Sequence, residues 1–262
     1  MYHQTSTNRC RFETRLARDA DELRAIQRLR YQVFYEEMGA RGTAAQQEMR
    51  LDADQFDPIC DHLIVLHHDA ADEYGHPQVA GAYRLGRRGK MPEGQSFYSE
   101  AEFDLAPLKR HPGEILELSR SCVHREYRNR AILDMLWRGL GKYITTNQIE
   151  IMFGCASFPG TDPDGIAQAL TYLHENHLAP EPMRPQALPG QYVQMHRGDG
   201  SGIDKREAIR QMPPLIRGYV SAGCFVGDGA VIDTGFNTVD VCVMVMTEQL
   251  RDSYKRRYQD AC

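Results

Sequence analysis

The sequence predicts a mixed α/β fold around one central sheet, and three patterns carry that prediction. Two segments have the composition of half-buried strands and are joined by a DEYGHP turn, which reads as a hairpin. Two other segments repeat apolar residues with the period of a helix. A further run, IEIMFGCASF at 149–158, is apolar almost throughout, as a strand covered on both faces should be. Strands come in consecutive runs, and no GxGxxG follows a strand, so a Rossmann alternation is not predicted.

From the N-terminus, residues 10–17 (CRFETRLA) alternate well enough for a first strand. Asp19 or Asp21 supplies the oxygen that caps the next helix, which runs to about Glu37. A polar loop follows at 39–61. HLIVLHH (62–68) and QVAGAYRL (78–85) are the hairpin, then a basic GRRGK loop leads to FYSEAEFDL, with room for a short strand and a turn. EILELSRSCV (114–123) is a strand. Residues 129–147 form a helix with Ile132, Leu133, Leu136, Leu140, Tyr143 and Ile144 on one stripe. After the strand at 149–158, TDPDG starts another helix with Pro163 at its first position, where a missing N–H costs nothing. A Pro-rich stretch leads into 193–220, a connection that wraps the surface. Strands at 222–232 and 238–246 precede a polar helical tail at about 247–262, and the whole chain, 1–262, reads as a single domain.

Composition narrows the function. A net charge of −5 does not suit a nucleic-acid binder, and 42% hydrophobic with 26% charged residues is an ordinary globular balance. No apolar run approaches the roughly 18 residues of a membrane span, and the N-terminus has no signal-like apolar core. The expected location is cytoplasmic, with peripheral contact at an inner membrane. The seven cysteines include no CxxC unit and sit mostly in apolar runs, where a reduced thiol is a small hydrophobe. The ten histidines show no ligand spacing, so no metal is expected.

Three places set charge where the pattern calls for apolar side chains. Arg30 projects from the middle of a helix face made by Leu23, Ile26, Val33 and Phe34, and must snorkel, find carboxylates or bind an anion. Asp52, Asp54, Asp57 and Asp61 crowd into LDADQFDPICD, which is either a solvated acidic loop or a set of partners for Arg30, Arg84, Arg120 or a cationic amine. The segment lacks the glycine and terminal glutamate of an EF-hand. Finally, Glu117, Ser119 and Arg120 interrupt the strand at 114–123. Strict alternation sends Glu117 and Arg120 to opposite faces; convergence on one site requires a bulge, which would also free a backbone N–H. The alternative is a buried structural ion pair.

RYQVFYEEMG, DADQFDPICDHLIV, YRL and ELSR resemble the acyl-homoserine-lactone synthase superfamily, a branch of the GNAT acyltransferases. LSRSCVHREYRNR, MFGCASFPGTDP and PPLIRGYVSAGCFVGDGAVID with FNTVDV are still more similar to the ornithine N-acyltransferases of ornithine-lipid synthesis. The resemblance spans about 10–250. It implies the GNAT fold, a mixed and mostly antiparallel central sheet flanked by helices. It also implies transfer of a (3-hydroxy)acyl chain to the α-amine of L-ornithine, the first step of ornithine-lipid synthesis, with no permanently bound cofactor.

The family pattern falls on Arg30 and Phe34, on Asp52, Asp54 and Asp57, on Arg84, and on Glu117 and Arg120. Asp61 and Ser119 fit the ornithine branch. The resemblance implies Glu117 as the base, Ser119 as a group holding the amine or protonating the thiolate, and Arg30 with Arg120 as carboxylate ligands. It further implies Asp54, Asp57 or Asp61 for the ornithine ammonium and Phe34 as pocket lining. Two departures matter. The tryptophan usual just after the helix phenylalanine of homoserine-lactone synthases is absent; the chain's single tryptophan is Trp137. The pyrophosphate loop, usually glycine-bearing, is here Arg125-Glu-Tyr-Arg128-Asn-Arg130-Ala131. Fewer glycines hinder close backbone approach to a pyrophosphate, whereas arginines suit the single phosphate of a 4′-phosphopantetheine thioester or an acidic acyl carrier protein. The basic loop Arg84, Arg87, Arg88 and Lys90 suits that partner too. Competing readings are an N-acyl amino acid or homoserine-lactone synthase with another acceptor, and a non-catalytic acyl- or carrier-binding protein.

Overall fold

The computed structural model describes residues 11–197 and 202–250. A nine-stranded sheet runs through it in the order β1-β2-β3-β5-β6-β9-β8-β7-β4. The strands are β1 (Phe12–Leu16), β2 (Asp61–Ala71), β3 (Pro77–Arg87), β4 (Phe103–Asp104), β5 (Glu114–Val123), β6 (Ile149–Pro159), β7 (Gln186–Ala187), β8 (Phe225–Asp233) and β9 (Thr238–Met246). Neighbours are antiparallel except β5 with β6 and β7 with β8. The helices are α1 (Ala20–Tyr31), α2 (Ala44–Met49), α3 (Ala106–Lys109), α4 (Arg130–Thr146), α5 (Ala167–His177), α6 (Lys205–Gln211) and α7 (Pro214–Ala222).

Alternation along the strands divides the core between the two faces. Ile64 and Leu66 of β2 meet Ile26, Leu29 and Val33 on the α1 side. Leu63 and Val65 meet Ile132, Leu136 and Leu140 of α4 on the other. Each fully buried leucine here contributes roughly 1.5–3 kcal/mol. A third cluster joins Ile115 of β5 and Phe153 of β6 to Phe97, Phe103, Leu105 and Leu108, so the 97–108 segment is a lid over the middle of the sheet. Asp19 caps α1 by accepting from the Glu22 N–H, as its side chain predicts.

The structure corrects several expectations from the sequence. The first helix is α-helical to Tyr31 and continues as a π-helical turn, Gln32–Glu37. The polar loop at 39–61 contains α2, whose Thr43 and Gln46 form a capping box. The helix expected from Pro163 begins at Ala167, with Pro163 in the turn before it. The surface connection at 193–220 instead holds α6 and α7, and α7 buries Ile216, Tyr219 and Ala222. Pro214 opens α7, where its fixed φ is already helical. At the C-terminus, Thr247–Gln249 is a 3-10 turn, and residues 251–262 of the expected tail lie outside the described residues.

Candidate active site

The centre of the sheet comes apart by design of its strands. β5 pairs with β6 only through Glu117↔Phe153, whereas β5 stays with β3 to Val123 and β6 stays with β9 to Pro159. Beyond Glu117 and Phe153 the two parallel strands therefore diverge. At the apex, a Cβ on Gly154 would lie 2.1 Å from the Leu118 carbonyl oxygen, so only glycine permits this approach. In the same stretch β5 carries the bulge that convergence required. Arg84 faces Ser119 and Ala82 faces Cys122, one extra residue on β5, with Arg120 at φ +51°. A left-handed backbone is strained for arginine, and its side-chain contacts must hold it there.

A cavity of about 390 Å³ opens at this split. Ser119, Arg120 and Cys122 line it from β5, Cys155 and Ser157 from β6, and Asp233, Thr238 and Asp240 from β8 and β9. Phe34, Tyr98, Tyr219 and Phe236 add aromatic walls, and Arg128 stands at its edge. Another cavity, about 460 Å³, lies against the outer side of α1 and is lined by none of the residues singled out from the sequence.

Three arginines and three aspartates form a largely buried network beside the cavity at the split. Arg30 Nε donates to Asp52 Oδ2 at 2.7 Å and Nη1 to Asp57 Oδ1 at 2.8 Å. Arg84 Nη1 reaches Asp54 at 2.6 Å and Asp57 at 3.1 Å, and its Nε donates to Ser119 Oγ at 3.0 Å. Arg120 Nε reaches Asp52 at 2.9 Å, and its guanidinium lies between the rings of Tyr98 and Phe236, 4.6 and 4.4 Å from their centroids. Gln27 donates to Asp57, Tyr35 to Asp52 and the Phe56 N–H to Asp54. Burial alone would push the three aspartates up, but the arginines beside them hold all three below the usual carboxylate range.

The sequence-predicted residues thus divide. Phe34, Ser119, Arg120 and Arg128 line the cavity. Arg30, Asp52, Asp54, Asp57 and Arg84 are bound to one another behind it, and Arg30 and Asp52 are fully buried. Asp61 is apart from them, accepting from Tyr143 Oη at 2.7 Å and pairing with Lys90. Glu117 does not reach Arg120. Its carboxylate accepts from the Ser99 N–H at 2.7 Å and the Tyr98 N–H at 2.9 Å, which ties the lid segment to β5. Burial pushes the Glu117 carboxyl up, against those two N–H groups. Arg125, Arg130 and Ala131 are exposed around the start of α4, where Asn129 Oδ1 already accepts from the Ile132 N–H. Arg88 is tied to the carbonyls of Lys109, His111 and Gly113, and Lys90 to Asp61, so these two cations are engaged within the chain.

Sequence reasoning missed a second carboxylate set. Glu102 and Asp240 lie beside Cys155, with their oxygens and its sulfur all within 4.8 Å of one another. The Cys155 thiol donates to Glu102 at 3.3 Å. Burial pushes Glu102 up to about 8 and Asp240 up to about 6. Asp240 was legible as a charge inside TVDVCVMVM, a fourth break in an apolar run; Glu102 carried no such signal.

These shifts set the pH dependence of stability. The Asp52, Asp54 and Asp57 contribution is present above their ordinary pKa of 3.8 and is lost as pH falls through their depressed values. Glu102 and Asp240 act in the opposite sense, favouring the fold below the ordinary range and losing that contribution as pH rises through about 6 and then about 8. Thermal melts across pH should show Asp240→Asn gaining on the wild type as pH rises from 3.8 to about 6 and keeping that gain above it. A constant difference would refute the assignment.

This fold and the relatives it has together define an N-acyltransferase of the GNAT class. The family described as Acetyltransferase (GNAT) domain matches residues 29–138. The chain belongs to the L-ornithine N(alpha)-acyltransferase family. It is 45% identical to the protein of that name from Rhodobacter capsulatus, over 95% of this chain and 96% of the relative. It is 42% identical to the one from Agrobacterium fabrum, over 94% and 84%. Among solved structures, FeeM, an N-acyl amino acid synthase from uncultured soil microbes, shares the fold with a TM-score of 0.52 at 9% identity, covering 96% of this chain and 97% of that one. Among the described residues no helix is long and apolar enough to cross a membrane.

Proposed function

We propose that this protein transfers a (3-hydroxy)acyl chain from an acyl carrier protein thioester to the α-amine of L-ornithine, the opening step of ornithine-lipid synthesis. The observation that carries the reading is 45% identity along almost the entire length of a relative named L-ornithine N(alpha)-acyltransferase. The site supports it chemically. A thioester lying in the split between β5 and β6 would present its carbonyl to the bulge, where Arg120 and Ser121 have no register partner on β3. Their N–H groups would stabilise the oxyanion. The neutral α-amine attacks the carbonyl carbon, a C–N bond forms, and the C–S bond breaks. The proton shed by the amine matches the one the departing thiolate needs, and Ser119 Oγ, on the cavity wall, is placed to deliver it.

Arg120 keeps its guanidinium at the cavity and is the carboxylate ligand in this reading. Arg30, Asp52, Asp54, Asp57 and Arg84 act behind it by fixing its position, and Phe34 lines the pocket. Arg125, Arg128, Arg130 and Ala131 form the face for the carrier and its pantetheine phosphate. Support comes from the absence of glycine there and from Asn129, which occupies one of the N–H groups at the start of α4 that a pyrophosphate would otherwise use. The product is an amphiphile, consistent with peripheral contact at the inner membrane.

Glu117, with both oxygens on the lid backbone, acts by positioning Tyr98 rather than by taking the proton. Glu117→Gln is expected to lower kcat/KM on the order of tenfold without changing the shape of its pH profile. Loss of the acid limb of that profile would return the base role to Glu117. The reading as a whole is tested by incubating the protein with 3-hydroxyacyl carrier protein and ornithine and following thiol release and product mass. Carrier binding without thiol release, or an acyl product on another acceptor alone, would sink it.

A further inference from the structure

We propose that Asp240 and Glu102 form the subsite for a second amine on the acceptor, the side-chain ammonium of a diamino acid. The proposal rests on the amino acid N-acyltransferase reading and adds to it the group that recognises the side chain. The aspartates that the sequence offers for this task are taken. Asp54 and Asp57 are held by arginines and Asp61 by Lys90 and Tyr143.

The Asp240 side chain has the opposite condition. It lines the cavity, is only 4% exposed, and its Oδ1 has no hydrogen-bond partner. The Thr238 and Ser157 hydroxyls, also on the cavity wall, stand beside this carboxyl and hold it below what burial alone would give. Glu102 stands behind Cys155 within reach of the same point. Among the described residues no Lys, Arg or His pairs with Asp240 or Glu102, and a buried carboxylate without a cation is costly, so this corner is built for a partner that arrives with the substrate.

The surroundings favour an ammonium. Asp233 raises both carboxyls, and Arg120 lowers them less than their other named neighbours act on them, being itself engaged with Asp52 and Asp54. Burial holds the Cys155 thiol well above its ordinary pKa, and it spends its proton on Glu102, so the sulfur faces the site as a thiol and not as a metal-binding thiolate. An ammonium with three donors matches Asp240, Glu102 and the Thr238 hydroxyl. Arg120 then takes the carboxylate end, and the acceptor is read at both poles.

The test compares L-ornithine with L-norvaline, the same skeleton without the second amine, in wild type, Asp240→Asn and Glu102→Gln. Wild type should favour ornithine by at least about 100-fold in kcat/KM, because rejecting an analogue that leaves buried polar groups unpaired is strong discrimination. In Asp240→Asn the ratio should fall to within about tenfold, chiefly through KM for ornithine. Glu102→Gln should move it in the same direction and serves if Asp240→Asn does not fold. Equal losses for both acceptors, or a wild type indifferent to the missing amine, would overturn the subsite. So would one divalent metal ion per chain found by elemental analysis of the purified protein. Should no amino acid be acylated at all, the function reading fails on its own. Calorimetric binding of ornithine against norvaline still decides the subsite.

Discussion

Replacing Arg30 with alanine should cost about 3–5 kcal/mol of folding stability, the usual loss when one member of a buried charge network is removed. Asp52 and Asp57 would each keep some partners, Tyr35 and Arg120 for the first, Gln27 and Arg84 for the second. Neither could recover the charge balance of three arginines against three aspartates. Because domains are stable by only about 5–15 kcal/mol, the variant should show a much lower urea midpoint or little folded protein. Arg30→Lys should recover part of the loss, since an ammonium restores the charge but not the planar fork that spans Asp52 and Asp57. The measurement also decides the residue's role. Unchanged stability with lost turnover would mean that Arg30 binds substrate directly, against its complete burial.

Gly154→Ala is the second large effect. The new Cβ would sit 2.1 Å from the Leu118 carbonyl oxygen and 3.2 Å from its carbon, and both are backbone. Neither strand can yield cheaply, because β6 is paired to β9 from Ile151 to Pro159 and β5 to β3 on its other side. Overpacking should cost about 1–3 kcal/mol. The larger consequence is catalytic. The split between β5 and β6 begins here, so a displacement of about 1 Å would misplace the thioester against the bulge and lower turnover on the order of 100-fold. A folded Gly154→Ala protein with wild-type kcat would show that the parting of these strands is not where the reaction occurs.

Much of this protein was determined by sequence alone. The period of each apolar pattern fixes helix or strand locally, so the strand at 114–123, the helix at 130–146 and the hairpin were legible. Arg30, the aspartates of LDADQFDPICD and Glu117 were equally visible, since a charge in an apolar frame must be either paired or functional. What the pattern does not contain is which of the two. Only the tertiary structure brings α1, the 52–57 turn and β5 together and shows that Arg30, Asp52, Asp54 and Asp57 pair among themselves and with Arg84 and Arg120 while Glu117 is held by backbone N–H groups, leaving Arg120 alone of the three arginines at the cavity. The left-handed bulge at Arg120 and the parting at Gly154 likewise depend on pairing between strands distant in sequence. Asp240 and Glu102 are 138 positions apart by their numbering and meet only because β9 lies beside β6 under the lid segment. Local periodicity decides secondary structure; whether a buried carboxylate has a partner is decided by the fold.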